Sequence, residues 1–220
     1  MRFELKLIIC AFGISINLGA QEINGKWINI RQPDELMYPL VQIIEFANDS
    51  ISNFDFKNQY DKYPVRISDN RIIISDSISG FFTFKKGNRI EFIAQPKERK
   101  VMDTDTRLNY IRLCRTIDKD SLAEKIESYR YEFPYKNFRN TVVFNKKLDE
   151  SEFIYLQKHT IIGDFITLKE WEGIYFLTFY FNDILTYAFP IKEIQPNDIT
   201  IYGVPEKEFG IKLYVAKSKI

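Results

Sequence analysis

The sequence predicts an all-β protein: an antiparallel meander barrel or sandwich, arranged as two small β modules joined by one short helix. Three observations carry that prediction. Nineteen Phe, thirteen Tyr and abundant Ile make a strand-favouring composition. Apolar residues recur with a period of two more often than with the helical period of about 3.6; in "NRIEFIAQP", Ile90, Phe92 and Ala94 share one face while Arg89, Glu91 and Gln95 share the other. The connections are short and carry Asn, Asp or Gly, at Asn48-Asp49, Asp69-Asn70 and Gly87-Asn88. These residues accept left-handed turn conformations, which favours antiparallel neighbours.

Residues 1–20 precede the predicted fold. Arg2 and Lys6 form a short basic region, Leu7 to Ile16 is nearly continuous apolar sequence, and Leu18-Gly19-Ala20 places small residues before Gln21. This is the pattern of a secretory signal peptide cleaved after Ala20, so the mature protein is expected to be secreted or periplasmic. The apolar run falls short of the roughly 18 to 20 residues a spanning helix needs, and no later run reaches that length. Membrane association stays open, but not through a transmembrane helix of the mature chain. Cys10 follows Ile9 rather than a small residue, which argues against a lipid-modified cysteine. The full chain has 31 Lys plus Arg and 30 Asp plus Glu; loss of Arg2, Lys6 and Glu4 leaves 29 of each. A chain with no net charge has nothing to steer it as a whole toward nucleic acid or an acidic membrane. Only Cys114 remains, so no internal disulfide forms and stability must come from packing.

The first module is expected over residues 21–115. Its strands are read at Lys26 to Arg31, Val41 to Phe46, Ser52 to Phe56, Val65 to Ile67, Arg71 to Ser75, Phe81 to Lys85, the "NRIEFIAQP" segment and Leu108 to Cys114. A helical connector follows at residues 116–128, where Asp118 or Asp120 caps the start and Leu122, Ile126 and Tyr129 stand at helical spacing. The second module, residues 129–220, resumes with strands at Thr141 to Phe144, Glu152 to Lys158, Phe165 to Leu168, Ile174 to Phe181, Leu185 to Phe189, Ile199 to Tyr202 and Ile211 to Ala216. Within it, "GIYFLTFYFN" is apolar on both faces, as in a strand covered on both sides, against another domain or against a ligand. About eight strands before the helix and about seven after it are too many for one open sheet, which would curl or divide. Two meanders are the leading arrangement, and a single irregular barrel with an elaborated second half is the competitor.

The segment "QEINGKWINIRQP" carries a Gly25-Lys26-Trp27 triplet at the front of the first strand. A Gly-x-Trp element there, followed by an antiparallel meander, resembles the lipocalin-like proteins of the calycin group over residues 23–115. The resemblance implies that Trp27 sits at the closed end of a barrel under a basic side chain from a late strand, for which Arg112 and Arg107 both qualify. Gly25, Trp27 and Arg112 are then structural residues. The family's disulfides and its C-terminal helix with a last strand are absent, so the resemblance implies a binding cavity without specifying lipophilic transport. Read from the residue alone, Trp27 fills core and finds one partner for its indole nitrogen.

Catalytic and metal chemistry is thinly represented. His159 is the only histidine and has Asp164 but no set of zinc ligands nearby. Cys114 lies in no diagnostic nucleophile turn and reads as a small apolar core group. Asp103 and Asp105 form the best close carboxylate pair but lack the further oxygen ligands of a calcium loop. Glu170 and Glu172 flank Trp171, either as a polar binding element or as an ordinary turn. The basic run "PKERK" is offset by Glu98 and has no aromatic interleaving for nucleic acid. No phosphate loop, nucleophile elbow, metal site or cofactor motif is present. The expectation is a non-enzymatic binding or interaction protein whose partner is an unknown protein or a small apolar ligand. Trp171, Tyr175, Tyr180, Tyr187 and Tyr202 are its candidate ligand-binding residues, as exposed aromatics with one polar atom each. A lipocalin-like carrier of a small apolar ligand and a carboxylate-dependent secreted hydrolase are the alternatives.

Overall fold

Turn chemistry pairs the strands. Ala47 stands opposite Ser50 across Asn48-Asp49, Trp171 opposite Ile174 across Glu172-Gly173, and Phe181 opposite Ile184 across Asn182-Asp183. All six turn residues have positive φ, between 48° and 78°, as two-residue hairpins with a right-handed twist require. The computed structural model describes residues 23–30, 43–54, 56, 59–68, 70–74, 78–85, 88–96, 106–119, 121–135, 138–149, 154–156, 161–203 and 211–215. The expected leader, Asp69, Gly87 and Asp120 lie outside those residues.

The first half of the chain forms β1 (Gly25–Ile30), β2 (Ile43–Ala47), β3 (Ser50–Phe54), β4 (Gln59–Pro64), β5 (Arg66–Ser68), β6 (Arg71–Ile73), β7 (Ile78–Lys85), β8 (Arg89–Pro96) and β9 (Thr106–Arg112). They build one nine-stranded sheet in the order β4-β3-β2-β1-β9-β8-β7-β6-β5. Its two edge strands, β4 and β5, are consecutive in the chain and separated only by Val65. Val65 is buried, and its N–H donates to the Asp49 carbonyl at 2.8 Å. The sheet therefore curls back on itself into a nearly closed antiparallel barrel, the arrangement that removes most exposed edge.

Inward residues of this sheet form a core of Ile23, Trp27, Ile44, Phe46, Val65, Ile72, Phe82, Ile90 and Tyr110. The outward faces differ around the wall. On β7, Phe81 is exposed and Thr83 and Lys85 meet solvent, with Lys85 paired to Glu91 at 3.1 Å. On β1, β2 and β9, the outward Ile28, Ile43 and Ile111 are buried, because they meet the second sheet.

That second half contains β10 (Ile117–Asp118), α1 (Ala123–Ile126), β11 (Tyr131–Tyr135), β12 (Phe138–Val142), β13 (Ile154–Leu156), β14 (Ile161–Gly163), β15 (Phe165–Trp171), β16 (Ile174–Phe181), β17 (Ile184–Ile194), β18 (Asp198–Ile201) and β19 (Ile211–Val215). The main sheet runs β12-β11-β19-β18-β17-β16-β15, with β10 parallel to the end of β17 and β13-β14 as a separate hairpin. Strand β17 changes partners at Pro190, pairing with β16 up to that residue and with β18 beyond it. Proline has no N–H to donate, so a change-over point accommodates it.

The two-faced apolar segment is β16. Leu177 and Phe179 enter the second sheet's own core beside Phe189 and Ile191, while Ile174 and Phe176 face the barrel and pack with Ile28, Ile43, Ile111 and Leu113. The buried hydroxyls of Thr178 and Thr186 donate to the carbonyls of Thr167 (2.7 Å) and Phe179 (3.1 Å), which satisfies the polar atoms this burial strands.

The expected short helix is present as α1, and two other expectations are corrected. The helix is a single turn: Lys125, Ser128 and Tyr129 donate to the carbonyls three residues back, the tight pattern that closes helical turns early. Asp118, one of the two expected capping residues, accepts from the N–H groups at the start of the helix, those of Leu122 (2.7 Å) and Ala123 (3.0 Å). Strands β4, β11 and β14 fall outside the expected set: "QYDKYP" and "YEFPY" break apolar alternation with charge or proline, and "IIG" is only three residues long. Part of the expected connector, Ile117–Asp118, is itself a strand on β17.

Phe176→Ala should cost about 3–5 kcal/mol, measured by urea unfolding, because it empties the layer between the sheets. A loss below about 1 kcal/mol would show that the two sheets do not depend on each other.

Candidate functional site

The strand pleat sends alternate residues of the first sheet inward, and they do not fill the space they enclose. A cavity of about 440 Å³ remains, lined by Ile44, Phe46, Ile51, Asn53, Tyr63, Ile72, Ile74, Ile90, Phe92, Leu108 and Tyr110. Only Asn53, Tyr63 and Tyr110 offer polar side-chain atoms; the other eight are hydrocarbon. Ile72 and Ile90, each 1% exposed, mark the deep wall, and Tyr63, 42% exposed, marks the mouth. Its size falls within the roughly 300–1,000 Å³ of small-molecule sites.

Register places the mouth residues. Across β3 and β4, Ile51 stands opposite Tyr63 and Asn53 opposite Asp61, so all four side chains share the inward side. The Asp61 carboxylate beside it holds the Tyr63 phenol above its ordinary value, with partial desolvation and a hydrogen bond to Asp61 adding to the effect.

A packed plug occupies another part of the interior. Trp27 is fully buried, and its Nε1–H donates to the Ile23 carbonyl at 2.8 Å. Register puts Trp27 directly opposite Arg112, whose guanidinium lies 4.4 Å from the ring centroid and donates through Nη1 to the Asn24 carbonyl at 2.6 Å. Gly25 makes room for this arrangement. Its φ is +120°, and a Cβ there would come within 2.9 Å of Arg112 Nη1. The Gly-x-Trp spacing thus puts one residue without a side chain and one large ring on the same inward face, both against Arg112.

The five aromatics singled out by sequence are not brought together. Trp171 is half-buried between the sheets, with Phe54 at 5.3 Å and Lys26 Nζ 4.9 Å from its ring centroid. Tyr175 packs at the edge of the second core. Tyr180 packs edge-on to Phe165 at 6.1 Å. Tyr187 is buried rather than exposed, stacked on Phe189 at 4.8 Å. Tyr202 accepts a hydrogen bond from the Cys114 N–H at 3.0 Å. Burial raises the phenols of Tyr175, Tyr180 and Tyr202 above the ordinary value.

Other candidates also find ordinary places or fall outside the description. Cys114 is exposed, not in a core; its neighbour Leu113 is the buried one, in the layer between the two sheets. Glu172 pairs with Lys26, which also lies 3.7 Å from Glu45, and Glu170 accepts from the Gly173 N–H. The Glu-Trp-Glu element is therefore a turn that clasps the first sheet. His159, Asp103 and Asp105 lie outside the described residues. Among the described residues no group of three or more His, Cys, Asp or Glu is arranged to hold a metal, and no helix is long and apolar enough to cross a membrane.

The cavity wall contains none of the predicted ligand-binding residues. Its members read in sequence as core, and only the shared inward face of Ile44 and Phe46, or of Ile90 and Phe92, hinted at it. No protein-family model and no curated protein matches the sequence, so the site is read from its own geometry.

Arg112→Met should lower stability by about 2 kcal/mol, through loss of the ring contact and of the charged hydrogen bond to Asn24. Urea midpoints measure it, and an unchanged midpoint would show that the Trp27 plug holds without the guanidinium.

Proposed function

We propose that the protein is an exported, non-enzymatic binding protein that holds a small, predominantly apolar molecule inside the barrel of its first module. The observation that carries this reading is the cavity of about 440 Å³ with eight hydrocarbon walls and three polar side chains. Burial of apolar ligand surface supplies the affinity, at roughly 25 cal/mol per Å² removed from water, and a few polar groups orient the ligand. The second module supports the barrel wall that carries β1, β2 and β9. Export rests on the basic, apolar and small-residue succession of residues 1–20.

Titration with the neutral fluorophore N-phenyl-1-naphthylamine tests the cavity. One saturable site is expected, and Leu108→Trp, which fills the half-buried wall, should weaken it by about tenfold or more while the melting temperature holds. Binding unaffected by Leu108→Trp would place the site elsewhere. For export, the protein recovered outside the cytoplasm should begin at Gln21 by N-terminal sequencing; an intact leader on cytosolic protein rejects that part of the reading.

A further inference from the structure

We infer that the cavity selects neutral amphiphiles, with a hydroxyl or similar uncharged head at the mouth, over anionic ones such as fatty carboxylates. This rests on the binding function proposed above and specifies its ligand class. Three features of the mouth carry it. Among the described residues no charged side chain lines the cavity, so none of them is a cation placed to receive a carboxylate. The polar atoms at the opening belong to Asn53 and Tyr63, an amide that both donates and accepts and a phenol. Asp61 stands opposite Asn53 in the register and shares a face of β4 with Tyr63, so it places a negative charge beside that phenol.

The deep wall is mostly hydrocarbon, and the one polar side chain beside it, Tyr110 opposite Ile90, is already engaged within the protein. Ile72 and Ile90 are nearly fully buried hydrocarbon, so a ligand with one apolar end enters that end first and leaves its head beside Asn53. A hydroxyl there exchanges hydrogen bonds with the amide and adds no charge beside Asp61. A carboxylate can only accept, and it would sit next to a second carboxylate in partly desolvated surroundings. Like charges placed together at an interface are strongly disfavoured. Lys62, between Asp61 and Tyr63, does not relieve this, because the pleat turns it to the opposite side, where it is exposed.

Displacement of N-phenyl-1-naphthylamine by 1-decanol and by decanoate at neutral pH, both below their micellar concentrations, tests the inference. The alcohol is expected to bind at least about tenfold more tightly than the carboxylate. Asp61→Asn should narrow that gap chiefly by improving decanoate, with both ligands read against the variant's own affinity for the fluorophore. On the unaltered protein, raising ionic strength from about 0.05 M to about 0.5 M should narrow it too, since screening weakens repulsion between partly exposed charges. If the fluorophore binds but decanoate equals or exceeds decanol, the selectivity is wrong while the binding function stands. A decanol preference unmoved by both Asp61→Asn and salt removes Asp61 as its cause and overturns the inference. If the fluorophore and both ligands fail to bind, the binding function falls and this inference with it.

Discussion

Burial of β1, β2 and β9 on both faces is the constraint on which the rest depends. Inward, these strands contribute Trp27, Ile44, Phe46 and Tyr110 to the barrel; outward, they contribute Ile28, Ile43 and Ile111 to a layer shared with Ile174, Phe176 and Ala188. A strand in that position cannot slip by one residue without exchanging its two apolar sets, and they are shaped for different neighbours. Lys26 reinforces the register from the rim, pairing with Glu45 on its own sheet and Glu172 on the other while covering Trp171. Exposed ion pairs of this kind contribute little energy individually. Their value lies in fixing which turn meets which strand.

With one wall held from outside, the barrel tolerates an interior that is not fully packed. Close packing is the rule in protein cores, and unfilled apolar space costs stability. Here the dense part of the interior includes Trp27 under Arg112 and beside Gly25, while a different set of inward residues surrounds open space. The distinction between plug and cavity is one of volume, since residues of the same type occur in both. The Trp27–Arg112 plug lies outside the cavity wall, although Ile44, Phe46, Ile72, Ile90 and Tyr110 belong both to that wall and to the barrel core.

The second sheet serves this design through its two-faced strand. β16 has Leu177 and Phe179 on one side and Ile174 and Phe176 on the other, so a single strand takes part in both adjoining cores. The aromatic residues of this region make contacts within and between these layers: Tyr187 stacks on Phe189, Trp171 meets Phe54, and Tyr202 ties its hydroxyl to Cys114. Their polar atoms, which made them attractive as ligand contacts, have neighbours within the protein or lie away from the cavity.

Period-two alternation, turn residues at Asn48-Asp49 and the Gly25-Lys26-Trp27 triplet determined by themselves that the chain is β-rich, that its neighbours are antiparallel, and that Trp27 is a core residue. These are local properties: a pleat alternates side chains, and a left-handed turn demands particular residues whatever lies farther away. Strand β4 escaped that reading because "QYDKYP" lacks alternation, although it supplies Tyr63 and Asp61 to the mouth. The tertiary structure alone decided that Arg112 covers Trp27, that Ile28 and Ile43 have partners outside the barrel, and that Ile72 and Ile90 border empty space. Such facts depend on which strands close around which volume, and a hydrophobic residue carries the same pattern in sequence whether it faces a neighbour or a cavity.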